Sequence, residues 1–313
     1  MEALVTGAAG FIGRWVVARL LSEDLRVRGL DNLSSGQAEN LDAFCAHPGY
    51  QGLTVGDITD RELVESLFAW RPDLCIHLAA AIQVQRSLED PAAAFHNDVT
   101  GAFTVLEAAR HANARFVMVS TCMVYGAAAG PISEAHPARP ASPYAGAKLA
   151  ADDLALSYAR AYGMEIVVLR PFNTYGPYQR SDGEGGVVAV FLRQRLCGSP
   201  LFVFGDGRQT RDLMYVEDCA EFIVRAALSA SATGEVLNAG SGREVAISDL
   251  AAMIEPRADR IEYVLHPHPQ SEVPRLLCDY GKAERLLGWR PRVSLEEGLE
   301  RTRAWLQPRL ARV

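Results

Sequence analysis

Short apolar runs alternate with amphipathic helical stretches through the first half of this 313-residue chain. Five of these runs predict strands: EALVTGA, RVRGLDN, DLCIHLAA, RFVMVST and EIVVLRPF. They are short and almost continuously apolar, which is typical of parallel strands that are buried on both faces. Stretches such as RWVVARLLSE and RELVESLFAW lie between them and have the helical period. The alternation predicts βαβ units, and therefore an α/β fold with a parallel sheet.

The pattern loosens after residue 171. A glycine-rich loop, GPYQRSDGEGG, precedes a predicted helix, GVVAVFLRQRLCG, and LFVFGDGRQTRDLMYVED predicts a strand, a turn and a returning strand. The tail predicts two helices joined by a turn. We expect a nucleotide-binding domain over residues 1–171, to which segments near 209–240 return, and a smaller C-terminal α/β lobe over residues 172–313. The ligand is expected in the cleft between them.

Composition excludes several classes of partner and location. The net charge of −7 argues against nucleic acid or an anionic membrane as the main partner. No apolar run approaches the roughly 20 residues that a membrane span needs, and the N-terminus lacks the basic region of a signal peptide. The six cysteines show no zinc spacing and predict reduced thiols in the cytoplasm. His266 and His268, in HPHPQ, are more typical of a loop than of a metal site, so no metal is expected.

The motif TGAAGFIG follows the first predicted strand and opens the first helix. Gly7 would permit a tight turn, Gly10 would let the backbone approach a pyrophosphate, and Gly13 would let the helix pack closely on the sheet. The amides at the N-terminus of a helix favour an anion. The motif predicts a dinucleotide site, although a plain glycine-rich turn gives the same pattern.

Asp31 ends the second predicted strand, about 20 residues after the glycines, where a carboxylate can accept hydrogen bonds from both ribose hydroxyls. Its charge would repel a 2′-phosphate, and no arginine follows in DNLSSGQ, so the sequence predicts NAD rather than NADP. A turn-capping role is the alternative. Asp57 and Ile58, at another strand end, are suited to the adenine edge, or else to capping the next helix.

Tyr144 and Lys148 stand four residues apart in SPYAGAKLAADDL and would share one face of a helix. A phenol ordinarily titrates at about pH 10. A neighbouring ammonium, together with the positive charge of an oxidised nicotinamide, is expected to lower the pKa of Tyr144. An exposed tyrosine and lysine at helical spacing are the alternative interpretation of this pattern.

Taken together, the motifs resemble those of an extended short-chain dehydrogenase/reductase of the nucleotide-sugar epimerase/dehydratase type. The matching motifs occur in the family's order over nearly the whole chain: TGAAGFIG, STCMVYG, SPYAGAKLAADDL, RPFNTYGPYQ, GDGRQTRDLMYVED and LLGWRP. The resemblance implies a Rossmann-type doubly wound parallel sheet that binds NAD and a lobe that binds a UDP-, dTDP- or GDP-linked sugar. It also implies a homodimer formed through the stretches at 94–112 and 144–162.

The resemblance assigns roles to three residues. Tyr144 would act as a base toward a sugar hydroxyl while hydride passes from C4 to NAD. Lys148 would hold the nicotinamide ribose, and Thr121 would hydrogen-bond the reacting oxygen. The cofactor would stay bound and be regenerated in each cycle.

The predicted sites follow from these motifs and from the resemblance. Arg211 is a candidate for the substrate diphosphate, with an ion pair to Asp212 or Glu217 as the alternative. The predicted cofactor site comprises Gly7, Gly10, Phe11, Ile12, Gly13, Asp31, Asn32, Asp57, Ile58, Leu78, Ala79, Ala80, Asn97, Tyr144 and Lys148. The predicted substrate site comprises Met123, Asn173, Val187, Arg211 and Arg275.

STCMVYG separates the possible reactions. Family members that dehydrate the sugar are expected to have an aspartic acid and a glutamic acid where this chain has Cys122 and Met123. A methionine cannot be a base, whereas a cysteine, with an ordinary pKa of about 8.5, is protonated at neutral pH and could donate a proton. The most economical hypothesis is 4-epimerisation through a 4-keto sugar.

Two alternatives remain open. One is an atypical dehydratase, catalysing 4,6- or 5,6-elimination, that uses Cys122 as its acid and His77, Gln83 or Glu184 as its base. In the epimerase, Cys122 would be only a small buried apolar side chain. The other is a Rossmann protein that senses NAD without catalysis, although the retention of Thr121, Tyr144 and Lys148 favours an enzyme.

Overall fold

The computed structural model describes residues 1–82, 84–182 and 185–310. Its strands are β1 (Glu2–Thr6), β2 (Arg26–Asp31), β3 (Tyr50–Val55), β4 (Leu74–His77), β5 (Arg115–Val119), β6 (Ile166–Pro171), β7 (Asn173–Tyr175), β8 (Leu201–Phe204), β9 (Thr210–Tyr215), β10 (Val236–Ala239), β11 (Glu244–Ala246) and β12 (Ile261–Val264). Its helices are α1 (Phe11–Ser22), α2 (Arg61–Phe68), α3 (Val84–Glu89), α4 (Pro91–Phe95), α5 (Ala102–Ala112), α6 (Pro143–Tyr162), α7 (Val187–Leu196), α8 (Val216–Leu228), α9 (Ile247–Ile254), α10 (Gly281–Leu287) and α11 (Leu295–Leu310).

The large sheet has the strand order β10-β6-β5-β4-β1-β2-β3, and every neighbouring pair is parallel. Successive residues of each strand point to opposite faces of the sheet, and both faces are apolar. Helices therefore cover both faces. In β1, Ala3 and Val5 pack in the apolar core that includes α1 and α8, whereas Leu4 packs in the core that includes α2, α5 and α6. The prediction of an α/β, Rossmann-type fold is confirmed.

Two small sheets lie beyond the large one. In the first, β9 pairs with β7 in parallel and with β11 in antiparallel orientation. In the second, β8 pairs with β12 in parallel. The expected strand and returning strand are present as β8 and β9, but they do not pair with each other, because they belong to different sheets. Leu201 and Val203 of β8 are buried in a separate core with residues of α7, α9 and α11.

The later part of the chain returns to the large sheet. β10 pairs with β6 at the sheet edge, and α8 packs beside α1. These contacts fall in or next to the segment that was expected to return, near 209–240. The division of the chain at residue 171 stays a prediction. None of the described helices combines the length and the apolar character needed to cross a membrane.

Residues 91–112 do not form one continuous α-helix. A π-helical turn, His96–Gly101, joins α4 to α5. Such a turn inserts one residue into the helix and occurs often at functional sites. Here it carries Asp98, whose Oδ1 accepts a hydrogen bond of 2.6 Å from the backbone N–H of Ala81, in the segment that follows β4.

Candidate active site

A cavity of about 1120 Å³ opens at the carboxyl ends of β1, β2, β4, β5 and β6 and extends to α7, β8 and β9. This edge of a parallel sheet is where such folds bind ligands. The residues of the predicted sites that line it are Gly7, Gly10, Phe11, Ile12, Gly13, Asp31, Asn32, Ile58, Leu78, Ala79, Ala80, Asn97, Thr121, Cys122, Met123, Tyr144, Lys148, Asn173, Val187 and Arg211. Asp57 and Arg275 do not line it.

The glycine motif forms a tight turn between β1 and α1. Gly7 has a φ of +69°, in the left-handed region that favours glycine, and its N–H donates to the carbonyl of Leu30 at 2.8 Å. A Cβ on Gly13 would lie 1.9 Å from the Gly7 oxygen, so only glycine fits there. Gly10 begins α1 without a side-chain cap. This cradle of bare backbone at a helix N-terminus fits the diphosphate of a dinucleotide.

Asp31 is held firmly at the edge of the cavity. Its Oδ2 accepts from the N–H of Ala9 at 3.0 Å and its Oδ1 from the N–H of Leu33 at 2.8 Å. Burial raises the pKa of Asp31, and the backbone hydrogen bonds oppose that rise. The carboxylate therefore caps a turn and also lines the cavity, and each of its oxygens keeps a lone pair for a further donor.

Asp57 is not among the residues that line the cavity, and its predicted place in the cofactor site stays a prediction. Its Oδ1 accepts from the N–H of Thr59 at 2.9 Å, and its Oδ2 accepts from Asn32 Nδ2 at 2.8 Å. Asp57 thus orients Asn32, and Ile58 is the residue of this pair that lines the cavity. The alternative that Asp57 caps the next helix is wrong, because the side chain of Asp60 caps α2.

The helix α6 places Tyr144 and Lys148 on its buried face. Ser142 begins the helix by accepting a hydrogen bond from the N–H of Ala145, and Pro143 occupies the first turn. Tyr144 is 7% exposed and Lys148 is 2% exposed, so the alternative of an exposed pair is wrong. Lys148 Nζ donates to the carbonyl of Val119 at 2.9 Å.

The pKa of Tyr144 differs from the expectation. Burial raises it above the ordinary value, and the negative charge of Asp98 raises it further. A hydrogen bond with Thr121 acts in the opposite direction. The lowering expected from Lys148 and oxidised nicotinamide together is absent in the protein alone, because the phenol is removed from water and the ammonium is bonded to a backbone carbonyl.

Thr121 and Cys122 follow β5 and face the same cavity. Thr121 Oγ1 accepts from the N–H of Met123 at 3.2 Å, which fixes the start of a short 3₁₀ turn. Cys122 also packs in an apolar cluster with residues such as Phe172 and Leu276. Burial raises the pKa of Cys122 to about 12, so its thiol is protonated at neutral pH.

His77 does not serve the elimination alternative as a base. It is buried in β4 outside the cavity lining, and its Nδ1 lies 2.8 Å from Thr6 Oγ1. Burial, with a further contribution from Lys148, lowers its pKa to about 3. Gln83 and Glu184, the other two candidate bases, lie outside the described residues.

Arg211 lies at the far end of the cavity but does not form either of the ion pairs considered for it. Its guanidinium pairs with Glu272 and donates to the carbonyl of Val273 at 2.8 Å. Glu272 Oε2 also lies 2.9 Å from His266 Nε2. Sequence reasoning missed the pairing of Arg211 with Glu272, because the two residues are 61 positions apart.

Arg275 does not line the cavity, and its predicted place in the substrate site stays a prediction. It forms an ion pair with Glu244 and donates to the carbonyl of Ala129.

Asn173 and Val187 do line the cavity, and Asn173 Oδ1 is buried without a hydrogen-bond partner in the described structure. In the described ranges, no cluster of three or more histidine, cysteine, aspartate or glutamate side chains is arranged to hold a metal ion.

Comparisons with known proteins identify the class. The family model described as GDP-mannose 4,6 dehydratase matches residues 4–302. The chain belongs to this family, within the extended short-chain dehydrogenases/reductases that comprise nucleotide-sugar epimerases and dehydratases. The resemblance stated from the motifs is confirmed.

Individual relatives include both reaction types. A UDP-glucose 4-epimerase from Mycolicibacterium smegmatis is 39% identical over 308 residues, which are 96% of this chain and 97% of the relative. The structure of Pal from Bacillus thuringiensis is 50% identical, with a TM-score of 0.97, and the match covers 98% of this chain and 99% of Pal. DesIV from Streptomyces venezuelae, a dTDP-glucose 4,6-dehydratase with NAD bound, is 32% identical with a TM-score of 0.93, over 99% of this chain and 98% of DesIV.

Proposed function

We propose that this protein is an NAD-dependent 4-epimerase of a nucleotide-diphosphate sugar. The observation that carries the proposal is the cavity wall formed by Thr121, Tyr144 and Lys148, beside which Cys122 and Met123 occupy the positions expected for a dehydratase's acid and base. Epimerisation needs an oxidation and a reduction at one carbon. It needs no proton transfer at the neighbouring carbons, so it requires neither of the two missing carboxylates.

The residues present fit NAD as the cofactor. The glycine turn at Gly7, Gly10 and Gly13 would hold its diphosphate, and Asp31 would accept hydrogen bonds from the adenosine ribose. Lys148 would hold the nicotinamide ribose. Bound NAD supplies reversible hydride transfer at C4 of the sugar.

The chain's own residues would move the proton that accompanies the hydride. Tyr144 would take the proton from the 4-hydroxyl and later return it to the same oxygen, while Thr121 holds that oxygen by a hydrogen bond. Because burial keeps the Tyr144 proton in place in the protein alone, positive charge in the cavity is needed to release it, and Lys148 supplies part of that charge. Rotation of the 4-keto sugar between the two transfers would invert C4.

The far end of the cavity would bind the nucleotide diphosphate. Arg211 presents a planar guanidinium that suits phosphate oxygens, and Asn173, whose side-chain N–H groups can donate to phosphate, lies in the same lining. A substrate phosphate would compete with Glu272 for Arg211. A UDP-, dTDP- or GDP-linked sugar is the proposed substrate class, and the relatives described above include enzymes of UDP- and dTDP-sugars.

A second candidate is an atypical dehydratase with Cys122 as its acid. One observation favours it: the Cys122 thiol lines the cavity beside Thr121 and is protonated at neutral pH. Against it, His77 lies outside the cavity lining. The third alternative, an NAD sensor without activity, is less well supported because the three residues needed for oxidation are all present at one cavity wall.

The deciding experiment follows turnover of UDP-glucose, UDP-N-acetylglucosamine, dTDP-glucose and GDP-mannose in D₂O by NMR. Inversion at C4 without deuterium incorporation supports the epimerase. Loss of water with deuterium at C5 or C6 contradicts it and supports the dehydratase. No conversion, and no absorbance of reduced nicotinamide with any sugar, supports the sensor. The variant Tyr144→Phe is expected to abolish both conversion and the absorbance change.

We also propose a cytoplasmic homodimer that associates through α5 and α6. The dimer is supported by Phe103 on α5 and Tyr162 on α6, which are large exposed side chains. The cytoplasmic location is supported by the six cysteines of the described chain, which are unpaired. Light scattering at micromolar concentration is expected to give twice the mass of the chain. A monomer would contradict the proposed dimer and leave the proposed reaction unaffected.

A further inference from the structure

Asp98 is a buried carboxylate that is only half satisfied. It is 2% exposed and lies in the π-helical turn His96–Gly101. Its Oδ1 accepts from the N–H of Ala81 at 2.6 Å and from Asn97 Nδ2 at 2.8 Å. Its Oδ2 is buried and has no hydrogen-bond partner within the described structure. Because such an oxygen is costly to bury, its retention next to a cavity calls for an explanation beyond folding.

The π-helical turn that carries Asp98 packs against α6, the helix that carries Tyr144 and Lys148. Burial raises the pKa of Asp98, and the positive charge of Lys148 and the hydrogen bonds from Ala81 and Asn97 oppose that rise. Among the charged groups that act on Tyr144, Asp98 raises the phenol's pKa the most. The other titratable groups that act on Tyr144 or Lys148 are Asp152 on α6, Cys122 after β5, and His77 of β4, whose pKa is lowered to about 3 so that it is neutral at pH 7.

We propose that Asp98 is a positioning residue whose negative charge adds to the effect of burial in holding the proton on the Tyr144 phenol, and balances the buried ammonium of Lys148. The hydrogen bond to Ala81 holds the carboxylate in place, and the unpartnered Oδ2 leaves its charge undiminished by a second set of donors. Tyr144 is then a proton donor in the free protein. It becomes a base only after further positive charge enters the cavity.

The effect of the Asp98 charge on the ionisation of Tyr144 can be separated from the effect of the side chain's size and shape. Asp98→Asn keeps the size of the side chain and an oxygen that can accept from Ala81, but it removes the charge. With the charge removed, the phenol of Tyr144 loses its proton more readily, since a like charge nearby no longer opposes ionisation. A purely structural role would leave the phenol's ionisation unchanged.

The test uses the full chain with 3,5-difluorotyrosine placed at position 144, whose more acidic phenol ionises in a range where the protein is folded. Its ionisation is followed by ¹⁹F NMR across pH, without cofactor or substrate, in the Asp98 protein, in Asp98→Asn and in Asp153→Asn. Asp153 is an exposed carboxylate on the same helix and serves as the matched control. We expect Asp98→Asn to lower the midpoint by about one pH unit and Asp153→Asn to leave it in place.

Equal midpoints in Asp98→Asn and in the control would overturn the proposal. Should Asp98→Asn fail to fold, Asp98→Ser removes the same charge with a smaller side chain and is interpreted in the same way. The catalytic importance of Asp98 rests on the proposed function, but the ¹⁹F NMR titration of Tyr144 does not depend on that function. A protein that converts no nucleotide sugar would refute the epimerase, while the ¹⁹F titration would still decide the role of Asp98.

Discussion

The ion pair between Arg170 and Asp152 gives the sharpest prediction about stability. Arg170 Nε lies 3.0 Å from Asp152 Oδ2, and the carboxylate is fully buried beneath the large sheet. The same oxygen accepts from Ser120 Oγ at 2.9 Å, and Arg170 also donates to Tyr125 at 3.0 Å. Burial raises the pKa of Asp152 to about 6 even though Arg170 favours the ionised form. Removing Arg170 should therefore raise that pKa further.

The expected loss of stability depends on pH. At pH 5, Asp152 is mostly protonated in the folded protein, so Arg170→Met should cost only its hydrogen bonds, about 1–2 kcal/mol. The folded-state pKa exceeds the unfolded value, so stability falls as pH rises toward the folded pKa. In the variant that fall continues above pH 6, at about 1.4 kcal/mol per pH unit. At pH 8 the additional loss is about 3 kcal/mol, so the total of about 4–5 kcal/mol lies in the range found on breaking buried ion pairs.

Urea denaturation of the full chain between pH 5 and pH 8 measures this difference. Adding Asp152→Asn to Arg170→Met should remove the pH dependence, because no carboxyl group is left to titrate. Arg61→Met breaks an exposed pair with Glu65 and should change stability by less than about 0.5 kcal/mol at either pH. A loss for Arg170→Met that is the same at pH 5 and pH 8 would refute the reasoning.

Three further predictions concern the cavity. Gly13→Ala places a Cβ 1.9 Å from a backbone oxygen of the glycine turn, so it should lower the free energy of unfolding by about 1–3 kcal/mol and weaken NAD binding. Gly146→Ala has open space for its Cβ and should not lower the free energy of unfolding. Thermal denaturation measures the stabilities, and calorimetry measures NAD binding. Asp31→Asn should raise the affinity for NADP relative to NAD in calorimetry, and an unchanged ratio would contradict the assignment. Glu272→Gln should free Arg211 for the diphosphate and lower KM up to about fivefold at constant kcat, while an unchanged or higher KM would contradict that competition.

The parts of the molecule that sequence predicted well depend on local pattern. Short, almost continuously apolar runs located the strands of the large sheet, and the 3.6-residue period located its helices. The glycine spacing located the turn where only glycine fits at position 13. The four-residue spacing put Tyr144 and Lys148 on one helix face. The motifs also predicted the family, which includes epimerase and dehydratase relatives, and the cofactor NAD, which is bound in the DesIV structure.

The parts that sequence missed depend on distant contacts. The direction of the Tyr144 pKa follows from burial and from Asp98, which approaches from a different helix. The pairing of Arg211 with Glu272, and of β8 with β12, joins segments some 60 residues apart. A π-helical turn leaves no signature in hydrophobic periodicity, so the position of Asp98 could not be read from a continuous helical pattern.

The return of β10 to the edge of the large sheet has a consequence for synthesis of the chain. Until residues 236–239 have emerged from the ribosome, β6 is an edge strand, and its Ile166, Val167, Val168 and Leu169 side chains are among the most completely buried in the finished protein. An unpaired apolar edge invites association with other chains. A nascent chain that stalls between β6 and β10 would therefore expose an aggregation-prone strand, and chaperone engagement is expected to concentrate while residues 172–239 are being synthesised.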